Sequence, residues 1–550
     1  HPCMPLYVLK AIRGQSGNIA LGREKITFGR HPDNAVVLQD DLASRHHCTI
    51  EQGALPGQFI VTDLGSRNGT KVNDVRVKSQ AVAPGDMIRI GHHEYLLEEE
   101  GADAVVASAD DSKAGDDNGH EGEGKGPPAW VTELTELLNS LPPAAEPEAV
   151  AMVDSGGKSS SALSAGSDGS KAVKLLLQTS SKARATDIHF EPKGDVYHIR
   201  FRVDGGMVSI TNLPNRVGEL VYGLIKTACQ MKLAGRDAVQ EGHFSAKFPD
   251  RRVEFRVSFT PSVHAQKLVL RILDQRFIPH AIGDLGMATY MTDRIRRVCQ
   301  QDHGLLLVCG PTGSGKTTTL YNALREIDRD TRNVVTIEDP VEYQLEGTTQ
   351  IPADHDRGNT FGSLLRSVLR QDPDVIFVGE IRDDETARTA MQASMTGHLV
   401  FSSLHAKDTV SAVFRLLDLK VEPYLVANSL DLVLAQRLVR TLCEHCKRTV
   451  PVTPGVATRL GRWIQGKTEM WVPTGCGRCL RTGYRGRRAL FELLDFNDEL
   501  RDVVLKEPTI TAMKKVIEQG LFTTLAQFGW KMVAEGQTSL DEIDRVAGQG

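Results

Sequence analysis

No run among the 550 residues approaches the 18 or so consecutive apolar residues that a membrane-spanning helix needs; the best stretch, Gly304 to Gly310, is far too short. The chain is therefore expected not to span a bilayer. The first ten residues also lack the basic start, long apolar core and small-residue cleavage site of a secretory signal, which points to the cytoplasm. An excess of positive charge is missing as well: 65 Lys and Arg stand against 70 Asp and Glu, a net charge of −5. That balance gives no global electrostatic case for a nucleic-acid partner. A disulfide framework is not indicated either, because nine cysteines is an odd count and four of them sit in two Cys-x-x-Cys pairs, a metal pattern. What is present, 40% hydrophobic and 25% charged residues diluted by 50 Gly and 24 Pro, is a soluble globular composition. The length suits about three or four domains.

Residues 98 to 125 carry ten acidic residues against Lys113 and Lys125, a local charge of −8. With few large apolar side chains, this stretch cannot bury enough surface to offset its ordering entropy, and it reads as a linker. Pro142 to Ser170 is a second weak stretch, so the linker is expected over 99–167. Within it Trp130, Leu134, Leu137, Leu138 and Leu141 share one helical face over 130–141. Such a helix either packs on the chain's own next domain or docks on a partner. Residues 5–98, ahead of the linker, read as short strands separated by turn clusters, one of the strands being Val72 to Val75; the spacing argues for an antiparallel β-sandwich. From residue 168 helices alternate with strands, and after residue 281 the rhythm is that of a parallel α/β sheet. The fold class is thus multidomain: an all-β sandwich, a smaller α/β lobe over 168–280 and a larger α/β domain over 281–550.

The segment Gly310-Pro311-Thr312-Gly313-Ser314-Gly315-Lys316-Thr317-Thr318 follows the apolar run Leu305 to Cys309 and precedes a helix starting near Thr317. Its glycines let backbone N–H groups wrap a β-phosphate while Lys316 meets the β and γ oxygens and Thr317 ligates Mg²⁺. ATP and Mg²⁺ are the expected cofactors. A second apolar strand, Val375 to Val378, ends at Gly379-Glu380, where a carboxylate suits orienting or deprotonating the attacking water. Between them, Glu338, Asp339 and Glu342 gather on one loop at a strand end, a placement that serves Mg²⁺ and water better than packing. Two histidines, His398 and His405, bracket a further strand; His405 is a candidate sensor of the γ-phosphate.

The order of these segments resembles the ATPase family that powers type II secretion and type IV pilus assembly. The resemblance extends upstream through Ala185-Thr-Asp187-Ile-His189-Phe-Glu191-Pro, Arg200-Phe-Arg202-Val-Asp-Gly and Leu270-Arg271-Ile-Leu, and covers about residues 168 to 550. It implies a RecA-like ATPase domain beside a smaller lobe, a homohexameric ring, and inner-membrane platform and docking proteins as partners. It also implies that ATP is held by the phosphate loop with Glu338, Asp339, Glu342, His398 and His405 around it. Arg256 and Arg271 from the smaller lobe, with Arg366 and Arg370 from the ATPase domain, would approach the phosphates.

Cys443-Glu-His-Cys446 and Cys476-Gly-Arg-Cys479 are separated by 29 residues. Four thiolates in such pairs suit Zn²⁺ in a closed structural site, and the resemblance to secretion and pilus-assembly motors, which carry a tetracysteine element, implies the same over 443–479. In the sandwich, Phe28-Gly29-Arg30, Ser44-Arg45-His46-His47 and Asp63-Leu-Gly-Ser66-Arg67-Asn68-Gly69-Thr70 concentrate Arg, Ser and Asn on loops, a set that suits a phosphate together with a peptide backbone. Their order and spacing resemble the forkhead-associated (FHA) domain over about 5–98. In that family Arg30, Ser44 and Arg45 would meet a phosphothreonine and Asn68 the ligand backbone.

The expected activity is ATP hydrolysis to ADP and phosphate, driving type II secretion or type IV pilus assembly at the cytoplasmic side of the inner membrane. A phosphothreonine-containing protein is the expected partner of the FHA domain. The alternatives are a pilus-retraction motor, a nucleic-acid translocase and a phosphothreonine adaptor with an idle motor.

Overall fold

Residues 305 to 309 read Leu-Leu-Leu-Val-Cys, with no polar alternation, and the reason is that this strand is buried on both faces. Leu305, Leu307 and Cys309 feed one core, while Leu306 and Val308 feed another on the opposite side. In the computed structural model of the protein the described residues are 6–13, 18–21, 25–38, 40–53, 59–73, 75–82, 85–100, 127–143, 149–160, 163, 166–234 and 237–548. Most of the expected acidic linker, 101–126, lies outside them. The chain divides into two compact units, 1–124 and 125–550.

The first unit is a β-sandwich of a six-stranded and a five-stranded sheet. Alternation sets its inner face: in Phe59–Asp63, Phe59 and Val61 are buried and their neighbours are not. They join Leu9, Phe28, Ile50, Ile88, Tyr95 and Leu97 in one core. The single strand expected at Val72 to Val75 is instead a hairpin, Thr70–Val72 paired with Val75–Val77, that turns at Asn73 with a left-handed backbone. Ser79–Val82, which sequence patterning did not show, forms an edge strand beside Phe59–Asp63. Only Val82 of its four side chains is buried, so it carried no periodic signal.

The second unit holds two lobes. The smaller is an antiparallel eight-stranded sheet running Ser159–Ser160, Ala151–Val153, Gln240–Lys247, Arg252–Pro261, Gln266–Leu273, Ala185–Lys193, Val196–Val203, Gly206–Pro214. Helices Asp168–Ala183 and Asn215–Ala228 share its aromatic core, which includes Phe190, Phe201, Phe244 and Phe259. The expected linker ends well before residue 167. Helix Ala129–Ser140 places Trp130, Val131 and Leu134 in that same core, and Ala151–Val153 is a strand of the sheet. Of the two readings of this helix, packing on the chain's own lobe is the one observed.

The larger lobe is a seven-stranded sheet in the order Thr349–Pro352, Val334–Glu338, Val375–Val378, Leu399–Leu404, Gly304–Cys309, Leu430–Leu442, Tyr484–Asp495. Six strands are parallel and the last is antiparallel to its neighbour. The carboxyl ends of the parallel strands therefore share one edge, the usual place for a ligand crevice in such a sheet.

Candidate nucleotide-binding cleft

At that edge a cleft of about 920 Å³ opens between the two lobes. Thr312 to Thr318 form its floor, and Asp339, Glu342, Gly379, Glu380 and His405 line it from neighbouring strand ends. Helix Lys316–Arg325 begins directly after Gly315, whose φ of 87° only glycine adopts without strain. Gly310 is needed for a different reason: a Cβ there would stand 2.6 Å from the carbonyl oxygen of Gln436 and 2.5 Å from Ser314 Oγ. Pro311 borders a smaller flanking hollow shared with Arg437, Arg440 and Arg487.

Sequence reasoning missed Gln436, which braces the whole loop. Its Nε2 donates to the Ser314 carbonyl at 2.8 Å, and Thr319 Oγ1 donates to its Oε1 at 2.6 Å. The amide therefore ties the loop to the first turn of its helix, from a strand more than a hundred residues downstream. Lys316 Nζ donates to the carbonyls of Gly310 (3.0 Å) and Pro311 (3.2 Å). Burial lowers its pKa and the Glu380 charge opposes that shift, so the ammonium is held near carboxylate and loop together.

Glu380 has 16% of its side chain exposed and faces the Arg382 guanidinium and the His405 imidazole, whose Nε2 lies 3.3 Å away. Arg382 also reaches Asp339 at 3.9 Å, and His355 Nε2 meets Asp339 at 3.3 Å. Glu338 differs from expectation. It borders the cleft, but its carboxylate is buried and accepts from Tyr321 Oη, Thr336 Oγ1 and Gln350 Nε2, so its oxygens are already engaged. Of the three acids on the loop, Glu342 and Asp339, the latter already meeting His355 and Arg382, line the cleft with carboxylates able to take an ion or a water.

His398 is not at the cleft. It precedes the six-residue strand Leu399–Leu404, so it sits at the edge where the strands begin, roughly 20 Å from His405. Its Nδ1 meets the Ala393 carbonyl and its own carbonyl accepts from Gly304 N–H. Arg366 pairs with Glu385 on neighbouring helices, and neither it nor Arg370 lines this cleft. Arg256 lies beside the acidic loop, donating to the Val341 carbonyl at 3.4 Å. Arg271 faces Arg256 directly across two paired strands, a like-charge pairing that is unfavourable unless an anion joins it. Asp187 answers part of that charge, 3.1 Å from Arg271 and 3.6 Å from Arg202.

The segment that joins the two lobes, running from the end of strand Gln266–Leu273 into the larger lobe's core, adds an apolar wall that the motifs did not reveal. Phe277, Ile278, Pro279 and Leu285 line the cleft, with the Arg184 guanidinium 4.3 Å from the Phe277 ring centre. A planar base fits such a wall, with phosphates toward the loop.

Cys443, Cys446, Cys476 and Cys479 come together as the spacing predicts, all Sγ atoms within 4.8 Å of one another. Measured pairs stand 3.7 to 3.9 Å apart. Four sulfurs about 2.3 Å from one tetrahedral ion would be roughly 3.8 Å apart, so the residues fit Zn²⁺. Backbone N–H groups of Gly475 and Gly483 point at Cys446 and Cys479 Sγ, a contact suited to thiolates.

In the sandwich, Arg30, Ser44, Arg45 and Asn68 stand on neighbouring loops. Arg30 N–H donates to the Ser44 carbonyl, Ser44 Oγ accepts from Arg67 N–H at 3.0 Å, and Asn68 Nδ2 donates to the Leu42 carbonyl at 2.8 Å. Gly29 lets the loops close: a Cβ there would lie 2.4 Å from the Arg45 carbonyl oxygen. Asp63 holds the third loop by accepting from Ser66 and Thr70 through both backbone and hydroxyl. Asp40 holds the second. Burial would raise its carboxyl, but the backbone N–H groups of His92 and Leu42 and the His92 imidazole pull it down to about 2.

Comparison with known proteins places this arrangement. The family described as "Type II/IV secretion system protein" matches residues 168–545, and the FHA domain family matches residues 26–91. The chain belongs to the type II/IV secretion system protein family. It is an ATPase, and it carries an FHA domain ahead of the ATPase region. Over 374 residues it is 40% identical to the type II secretion system protein E of Aeromonas hydrophila, covering 68% of this chain and 74% of that protein. It is equally similar, 40% over 376 residues, to the type II secretion system ATPase E of Vibrio cholerae, covering 68% and 75%. Among solved structures, the ATPase DotB of Legionella pneumophila aligns with a TM-score of 0.52 at 22% identity, over 68% of this chain and 94% of that one, and shares the fold.

Proposed function

We propose that this chain is the hexameric ATP-driven motor of a type II secretion system, working against inner-membrane platform and docking proteins, and that its FHA domain recruits or regulates it through a phosphothreonine-containing protein. The observation that carries the motor reading is the convergence of Lys316, Glu380 and His405 on one cleft that the second lobe closes. Lys316 and the loop amides hold the phosphates, Thr317 with Asp339 and Glu342 supports Mg²⁺, and Glu380 takes the proton from the attacking water. Arg256 and Arg271 bring positive charge from the smaller lobe. Arg366 and Arg370, which do not line this chain's own cleft, would serve a neighbour's in a ring. Zn²⁺ on the four cysteines would hold a subdomain and supply no chemistry. Secretion is favoured over pilus assembly by the 40% identity to type II secretion ATPases.

The FHA reading rests on the grouping of Arg30, Ser44, Arg45 and Asn68 on adjoining loops. Its test is binding of a phosphothreonine peptide library to the full chain. Phosphate-dependent binding is expected, and Arg30→Ala should weaken it by at least about tenfold, since a charge-assisted contact is worth roughly 1.5–3 kcal/mol. Binding that ignores the phosphate would recast the domain as a fixed anchor. In cells, Glu380→Gln is expected to stop secretion; export that continues contradicts the motor reading.

A further inference from the structure

At the cleft Arg382 faces both Asp339 and Glu380, with His355 on the far side of Asp339 and His405 on the far side of Glu380. Glu380 sits between two of these groups, with Arg382 on Oε1 and His405 on Oε2. A carboxylate oxygen that already accepts from a guanidinium is engaged and cannot at the same time take a proton from water. Its position is fixed by its neighbour in sequence. Ile381 is buried and its N–H donates to the Ser403 carbonyl at 2.9 Å, so Glu380 and Arg382 extend from either side of a pinned residue. Arg382, in contrast, has 55% of its side chain exposed and borders the same cleft as Lys316.

We propose that Arg382 is a positioning residue that masks Glu380 until the terminal phosphate of a nucleoside triphosphate takes the guanidinium. The planar fork of arginine matches phosphate geometry, and a γ-phosphate carries more charge than one carboxylate. Asp339 keeps the guanidinium at the cleft mouth while it changes partner. Glu380 then keeps His405 on Oε2 and has Oε1 free for the water. Water activation thereby depends on an occupied γ position, and a diphosphate, lacking that group, leaves the mask in place. Turnover without a correctly seated triphosphate is suppressed.

This inference rests on the reading of Glu380 as the group that prepares water, so its test measures binding instead of turnover. Affinity of the full chain for a non-hydrolysable ATP analogue and for ADP is measured in four forms: unmodified, Glu380→Gln, Arg382→Ala and the double variant. Glu380→Gln releases the guanidinium and should tighten analogue binding about fivefold or more, the lower end of a typical coupling between sites. With Arg382→Ala present, the same Glu380 change should have no effect. ADP affinity should not move in any form. Tightening by Glu380→Gln that persists in the Arg382→Ala background overturns the proposal, as does an Arg382→Ala loss that is equal for analogue and ADP. Where Arg382→Ala fails to fold, Arg382→Gln runs the same cycle, and Arg382→Lys should restore part of the analogue preference. Failure of the catalytic reading shows separately, as Glu380→Gln turnover that is unchanged.

Discussion

Gln436 lies 122 positions after Ser314, yet its amide supports the phosphate loop at two points. Nothing in the spacing of the loop motif calls for a glutamine on another strand, and only the pairing of Gly304–Cys309 with Leu430–Leu442 brings it there. Asp40 is similar: it lies outside the loop residues that resemble the FHA family, but its carboxylate accepts from His92 N–H and Leu42 N–H. Its effect on stability has a definite sign. The folded value near 2 is below the ordinary 3.8, so its contribution is fully present above about pH 4 and is lost as pH falls toward 2. Thermal unfolding of the FHA unit should therefore weaken steeply between about pH 4 and pH 2, and Asp40→Asn should flatten that dependence while lowering stability at neutral pH. An unchanged pH profile in the variant would show that Asp40 is not the group responsible. Residues of this kind escape a reading of sequence because their partners are distant in the chain. Lys316, Glu380 and the four cysteines were legible because one short segment or one fixed spacing carries their chemistry. His398 and Glu338 show the limit: proximity to a motif in sequence does not say which edge of the sheet, or which side of the loop, a side chain takes.

At the scale of elements, the cysteine cluster does more than close on itself. Arg485 donates to the Pro142 carbonyl at 3.1 Å, and Gly486 N–H donates to Asp204 at 2.7 Å. Leu480 packs on the core of the smaller lobe. The cluster thus bridges the larger lobe to the helix Ala129–Ser140, the first described element after the acidic stretch. Removing Zn²⁺ with a chelator should raise hydrogen exchange in residues 443–487 and also in 129–142, because a structural ion's binding free energy is folding free energy for its surroundings. Exchange that rises only within 443–487 would mean the bridge does not depend on the metal. The helix was visible from its apolar stripe, but its partner was not: the same stripe suits a neighbouring lobe and an external protein equally. Ser79–Val82 was invisible for the opposite reason, an edge strand with one buried side chain and no pattern to detect.

For the whole molecule, two compact units divide the work: a sandwich whose loops group Arg30, Ser44, Arg45 and Asn68, and a two-lobed ATPase unit with its cleft at the strand ends. Alternation and turn spacing showed the sandwich, and the uninterrupted apolar strands showed the parallel sheet, since each reports which faces are covered. The closure of the second lobe over the phosphate loop required the structure. On the proposed motor reading, that closure is the source of coupling, because hydrolysis at a site shared by two lobes would change the contacts that hold them together. The most direct test is steady-state and single-turnover ATP hydrolysis by the full chain against Glu380→Gln. The account predicts a fall in kcat of at least about a hundredfold, the usual worth of a positioned general base, with ATP still bound. Turnover that is undiminished would contradict it.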